Sequence, residues 1–146
     1  ELADRFGVDA LRYYLLREVS FGQDGSYSAE AIVRCANADL ANSFGNLAQR
    51  SLSMIFKNMG GALKAVERSD ADQQLAAKVL AATTDELPQA FAALNFSGGI
   101  EAWLRAVFAC NQYVDDQAPW TLRKTDPARM DAVLMTLFTV IRDLAI

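Results

Sequence analysis

Apolar side chains recur every three or four residues along most of the chain, the spacing of helices that bury one face. Leu11, Tyr14, Leu15 and Glu18 share one side of a short predicted helix, Ala10 to Glu18, with Asp9 as its cap and Phe6-Gly7 closing a helix before it. A second stretch starts at Ser28, a good N-cap with Glu30 in its first turn, and stops at Gly60-Gly61. Its apolar line is Ile32, Ala36, Leu40, Phe44, Leu47, Met54 and Ile55, interrupted at Ser51, and Gly45 marks a kink or a close helix approach. A third helix begins near Asp70 or Asp72 and carries Leu75, Val79, Leu87 and Phe91, with Pro88 expected to bend or break it. A fourth, capped by Ser97, aligns Ile100, Leu104, Val107, Phe108, Asn111 and Val114. Pro119 suits the first turn of a short helix, and Asp126-Pro127 opens a last one through Val133, Leu134, Leu137, Phe138, Ile141 and Leu144. Ser20 to Gly25 reads as a turn-rich loop. The pattern predicts an all-α bundle of about five helices with mostly short connections.

Composition sharpens this picture chiefly by exclusion. The 146 residues are 52% hydrophobic and 22% charged, an ordinary globular balance with room for one core. No apolar run approaches the roughly 18–20 residues needed to cross a bilayer, so no membrane partner is expected. The chain opens on Glu1-Leu2-Ala3-Asp4 without an initiator Met, so a segment of a longer protein is expected. Histidine is absent, which removes Ser-His-Asp and Cys-His nucleophile systems. Two distant cysteines, Cys35 and Cys110, form no Cys-x-x-Cys pair and are read as buried thiols of a reducing cytosol, with no metal site. A net charge of −4 argues against a broad phosphate-neutralising surface and against DNA as a partner. RNA recognition, if present, must be local and shape-driven.

Two features carry candidate chemistry. Beside its apolar line the second helix bears a polar stripe, Asp39, Ser43, Asn46, Arg50 and Ser53. Asn46 and Arg50 are four apart and point the same way; an amide beside a guanidinium fork suits a base edge, although a solvated helix face has the same spacing. Trp120 follows Pro119 at a helix junction and precedes Arg123 and Lys124, so it reads as a stacking platform or as a tryptophan closing the junction. Trp103 reads as packing, and Asn111 as a buried amide bonding backbone or another helix. The adjacent pairs Asp85-Glu86 and Asp115-Asp116 cannot face each other on a helix and are read as solvated charges. No catalytic residue is expected in this chain.

Taken together the blocks form a resemblance. The run Phe6-Gly7-Val8-Asp9-Ala10-Leu11-Arg12-Tyr13-Tyr14-Leu15-Leu16-Arg17-Glu18 resembles the segment after the Lys-Met-Ser-Lys-Ser loop of class I aminoacyl-tRNA synthetases. The tyrosine pair, with Phe21-Gly22-Gln23-Asp24-Gly25-Ser26-Tyr27-Ser28, resembles the methionine-specific members. Asn37 to Asn42, then Gly45-Asn46-Leu47 and Arg50, are similar to the start of their anticodon-binding bundle, and Asn111-Gln112-Tyr113-Val114-Asp115 with Ala118-Pro119-Trp120 to its distal part.

The resemblance implies a connecting, stem-contact segment over 1–27 and an anticodon-binding bundle over 28–146. It implies that Asn46, Arg50 and Trp120 recognise the CAU anticodon of methionine tRNA for a cytoplasmic methionine–tRNA ligase. The ligase's catalytic domain would be the other partner and lies outside this chain. ATP with magnesium would serve that domain, zinc is left open, and no cofactor is expected in this segment. The rivals are the equivalent bundle of an isoleucine, valine, leucine or cysteine enzyme, against which the tyrosine pair and Gly22-Gln23-Asp24-Gly25 count, and a helical protein-interaction module without an RNA role.

Overall fold

In a computed structural model, which describes residues 2–19, 21–23, 25 and 27–145, every regular element is helical. Two short helices come first, α1 (Leu2–Phe6) and α2 (Val8–Glu18). A long rod over 29–59 follows, made of α3 (Ala29–Cys35), a π-helical segment (Ala36–Gly45) and α4 (Asn46–Met59). A second rod over 70–92 has the same make-up: α5 (Asp70–Ala81), a π-helical segment (Ala82–Glu86) and α6 (Leu87–Ala92). Then come α7 (Phe96–Gln117), the short α8 (Pro119–Thr125) and α9 (Pro127–Ala145). The all-α bundle read from periodicity is therefore the observed architecture. Among the described residues no helix is long and apolar enough to cross a membrane.

Helices α4, α5, α7 and α9 enclose the main core, with Leu47, Val79, Val107, Val133, Leu134, Leu137 and Val140 almost fully buried. Helix α9 lies at its centre, and ten of its side chains are buried. Ser51 fills the gap in the apolar line of the first rod and is itself buried. A satellite cluster of Tyr14, Ile32 and Cys35, backed by Phe6, Leu11 and Tyr13, ties α2 to α3 across residues 27/28. Both cysteines are free and buried. Burial pushes the Cys110 thiol up to about 12, and burial with the Asp39 and Glu18 charges pushes Cys35 up to about 11, so neither is a thiolate at neutral pH.

Several terminal signals hold. The Ser28 hydroxyl accepts the Ala31 N–H at 3.0 Å, and the Asp126 carboxylate accepts the Arg129 N–H at 3.0 Å. Helix α4 ends on Gly60 at φ 63°, where a side chain would be strained. Others shift by a turn. Helix α2 starts at Val8 behind Gly7, leaving Asp9 inside the first turn, where it pairs with Arg12 at 3.8 Å. Helix α7 starts at Phe96, and Asn95 rather than Ser97 caps it by accepting the Gly98 N–H at 3.2 Å. Leu15 and Phe108 are half exposed despite falling on the predicted apolar lines. In the loop before α3, Ser20, Asp24 and Ser26 lie outside the described residues.

Pro88 does not end the helical run, which continues to Ala92, but a π-helical segment interrupts the α-helix just before it. A proline in a helix clashes with the carbonyl four residues back and cannot donate to it. Here the π-helical turn before it moves the bonding out by a residue, so that the Leu87 N–H reaches the Ala82 carbonyl. The hydroxyls of Thr83 and Thr84 donate to the carbonyls of Val79 and Leu80 at 3.0 and 2.9 Å, satisfying acceptors in the disturbed turn.

Candidate functional site

The polar stripe of the first rod divides where π-helix becomes α-helix. Asp39 is partly buried, accepts the Tyr13 hydroxyl at 2.9 Å and lies 3.5 Å from Arg17. Burial and the Asp39 hydrogen bond push the Tyr13 phenol well above its ordinary range, so it stays a donor. Ser43 donates its hydroxyl to the Ala38 carbonyl at 2.9 Å. The polar groups of these two residues are engaged within the fold. Asn46, Arg50 and Ser53 remain exposed on α4.

Gly45 closes the π-helical segment just before Asn46. A Cβ there would stand 3.0 Å from the Leu40 carbonyl oxygen, so only glycine fits this widened turn without displacing backbone. The amide of Asn111, on α7, donates to the Ser43 carbonyl at 3.3 Å and to the Val107 carbonyl at 3.2 Å. The expectation that this amide bonds backbone and another helix is met. Its consequence is a fixed register between α7 and the entry to α4.

That register sets Arg50 against the far end of α7. Its guanidinium lies 3.7 Å from Asp115 and 5.8 Å from the centre of the Trp120 ring. Arg50 and Trp120, 70 positions apart in sequence, are thus brought to one surface, while Asn46 joins them one helical turn before Arg50. Trp120 is 50% exposed. It is held by its neighbours: Pro119 is buried, and Ala118 at φ 42° turns the chain between α7 and α8. Trp103, in contrast, packs at 5.4 Å on Phe44 and donates its indole N–H to the Leu144 carbonyl at 2.9 Å.

Neither contact locks Arg50. A half-exposed pair at 3.7 Å contributes at most about 1 kcal/mol, and a cation near 6 Å from a ring about as much at an exposed site. The guanidinium is held over the ring plane yet can turn to a planar acceptor. Asp115 stays exposed, as expected of a solvated charge, and is also a member of this group. Its signal in sequence was its place four residues after Asn111, on the same side of α7. The other adjacent acids are surface partners, Glu86 of Arg105 at 2.8 Å and Asp116 of Gln112 at 2.8 Å.

A buried network braces the same corner. Asp72 is fully buried in the first turn of α5, where its carboxylate accepts the Ser69 N–H at 3.0 Å. It also accepts two bonds from the Arg129 guanidinium, at 2.6 and 2.7 Å, and one from the Tyr113 hydroxyl. Burial alone would raise this carboxyl, but Arg129, Tyr113 and Ser69 together hold it down at about 2. Arg129 reaches further, to the Gln117 side-chain oxygen at 2.7 Å. No local sequence signal marks this network, since its members lie 41 and 57 positions apart.

The family described as tRNA synthetases class I (M) matches residues 1–52. Over 99% of the chain, a methionine–tRNA ligase of Mesorhizobium japonicum is 48% identical, and one of Brucella suis is 50% identical over the whole chain. The free-state crystal structure of Mycobacterium tuberculosis methionyl-tRNA synthetase superposes with a TM-score of 0.92 at 45% identity, over 99% of this chain and 30% of that one. A second structure of that enzyme, in complex with methionyl-adenylate, superposes equally well. The chain spans about 28% of the length of the curated relatives it matches. In sequence and in fold, this chain aligns from end to end on a segment of methionyl-tRNA synthetases.

Proposed function

We propose that this chain reads the CAU anticodon of methionine tRNA, through Asn46, Arg50 and Trp120, for a cytoplasmic methionine–tRNA ligase. In this reading the amino acid and ATP are handled by a catalytic domain in the rest of that enzyme. Residues 1–27 connect to that domain and contact the tRNA stem, and residues 28–146 form the anticodon-binding bundle. The observation that carries the proposal is the meeting of Arg50 and Trp120, with the guanidinium 5.8 Å from the ring centre on an exposed surface.

The chemistry follows from what each side chain offers. Trp120 provides a flat apolar face for an unpaired base, worth about 1–3 kcal/mol per stacked base. Arg50 offers two N–H donors to the ring nitrogen and carbonyl oxygen of a cytosine at the first anticodon position. Asn46, one turn away, donates to or accepts from the same base. A uracil would set an N–H against a donor, leaving desolvated polar groups unpaired at about 1–3 kcal/mol each. Asp115 holds the guanidinium near the ring until a base arrives.

The test is aminoacylation by the full-length enzyme of tRNA bearing cytosine or uracil at the first anticodon position. Arg50→Ala is expected to lower kcat/KM for the cytosine form while barely changing the uracil form, so the ratio of the two falls toward one. Equal losses on both would reduce Arg50 to a phosphate contact or a structural ion-pair partner.

A further inference from the structure

Helix α8 has only seven residues, too few to hold its own shape, so the position of Trp120 depends on what fixes its two ends. Both ends converge on one residue. Before α8, the last residue of α7 is Gln117, whose side-chain oxygen accepts an Arg129 N–H at 2.7 Å. After α8, the Asp126 carboxylate accepts the backbone N–H of Arg129 at 3.0 Å. The guanidinium that closes this loop is anchored in turn on Asp72, which is fully buried and belongs to α5. Tyr113, one turn before Gln117 on α7, shares that carboxylate.

We propose that Arg129, seated on Asp72 and grasping Gln117, is the positioning residue of the RNA-stacking tryptophan. This rests on the functional reading of Trp120 given above. Its physical content is that apolar packing of Pro119 and Leu122 seats α8, while the side-chain bond at Gln117 fixes the angle of the α7–α8 corner, where Ala118, the residue at the bend, has almost no side chain. Without that bond the corner keeps its helices but loses the fixed angle at which the ring is presented. RNA binding then has to select the right angle from a broader set, and affinity falls by the fraction of time it is occupied.

Gln117 gives the cleanest test, because it contacts neither the proposed base nor the core, and the Asp72–Arg129 pair survives its replacement. In the full-length enzyme, Gln117→Met is expected to raise the KM for methionine tRNA about threefold to tenfold, the net value of one ordinary intramolecular hydrogen bond. Methionine-dependent ATP–pyrophosphate exchange and the unfolding midpoint should stay near wild type. Gln117→Glu restores an acceptor for Arg129 and should recover most of the loss. Combining Gln117→Met with Trp120→Ala separates the ideas: if the glutamine acts through the ring, the double variant recognises tRNA no worse than Trp120→Ala alone. Independent, multiplying losses, or a Gln117→Met enzyme with unaltered KM, would overturn the inference while Trp120 keeps its role. No effect of Trp120→Ala itself would instead sink the functional reading.

Discussion

Trp120 is half exposed, on a helix whose buried contacts come from Pro119 and Leu122, so replacing it removes little from the core. Trp120→Ala should therefore lower tRNA recognition by about one to two decades, the loss of one stacked base, while thermal unfolding stays close to wild type. Early melting with intact recognition in the folded fraction would show the ring to be a packing residue. Asp72, by contrast, contributes directly to stability. Its carboxyl is held down at about 2 in the folded chain, below the ordinary carboxylate value of 3.8. A depressed acid stabilises the fold above its unfolded pKa, and that stability is lost as pH falls through the folded value. Asp72 should thus contribute about 2 kcal/mol at pH 5 that disappears on acidification toward pH 2. An NMR titration of its carboxyl checks the premise, and a midpoint near 4 would mean that the Arg129 pair does not form in solution.

Among the elements, the π-helical segment before α4 decides how Asn46 and Arg50 are presented. Gly45→Ala would ordinarily favour a helix by about 1 kcal/mol. Here the added carbon meets the Leu40 carbonyl at 3.0 Å, so the wide turn must give way or tighten toward an α-helix. The variant is expected to lose about 1 kcal/mol instead, read as a lower midpoint in urea unfolding. A gain in stability would show the turn to be pliable. The same contrast marks what could be read in advance. Ser28, Gly60, Pro119 and Asp126-Pro127 were legible because a cap or stop acts within one turn of the chain. Asp9 and Ser97 were misplaced since Gly7 and Asn95 could serve equally well a turn or less away. The π-helical turns have no signal in a three-and-four pattern, and so Pro88 looked like a break. Asn46, Arg50 and Trp120 stood out through family resemblance, whereas Asp115 and the Asp72–Arg129 network depend on packing between distant helices.

For the whole molecule, a net charge of −4 with basic groups gathered near the site, at Arg50, Arg123 and Lys124, limits how many phosphates the bundle can neutralise. With about three such contacts, the logarithm of affinity for an anticodon stem-loop should fall with the logarithm of salt at a slope of about −2 to −3. Titrations between low and moderate salt measure it, and a slope steeper than about −6 would reveal a wide electrostatic footprint instead. The placement of Arg50 on α4 and of Trp120 on α8, with the latter fastened to the first turn of α9, has a consequence for biosynthesis. A growing chain acquires its guanidinium early and its indole much later, and the indole takes its final place only once α9 has closed onto the core. A chain still being made therefore lacks the complete Arg50–Trp120 pair, and under the proposed function it would not yet draw methionine tRNA away from translation.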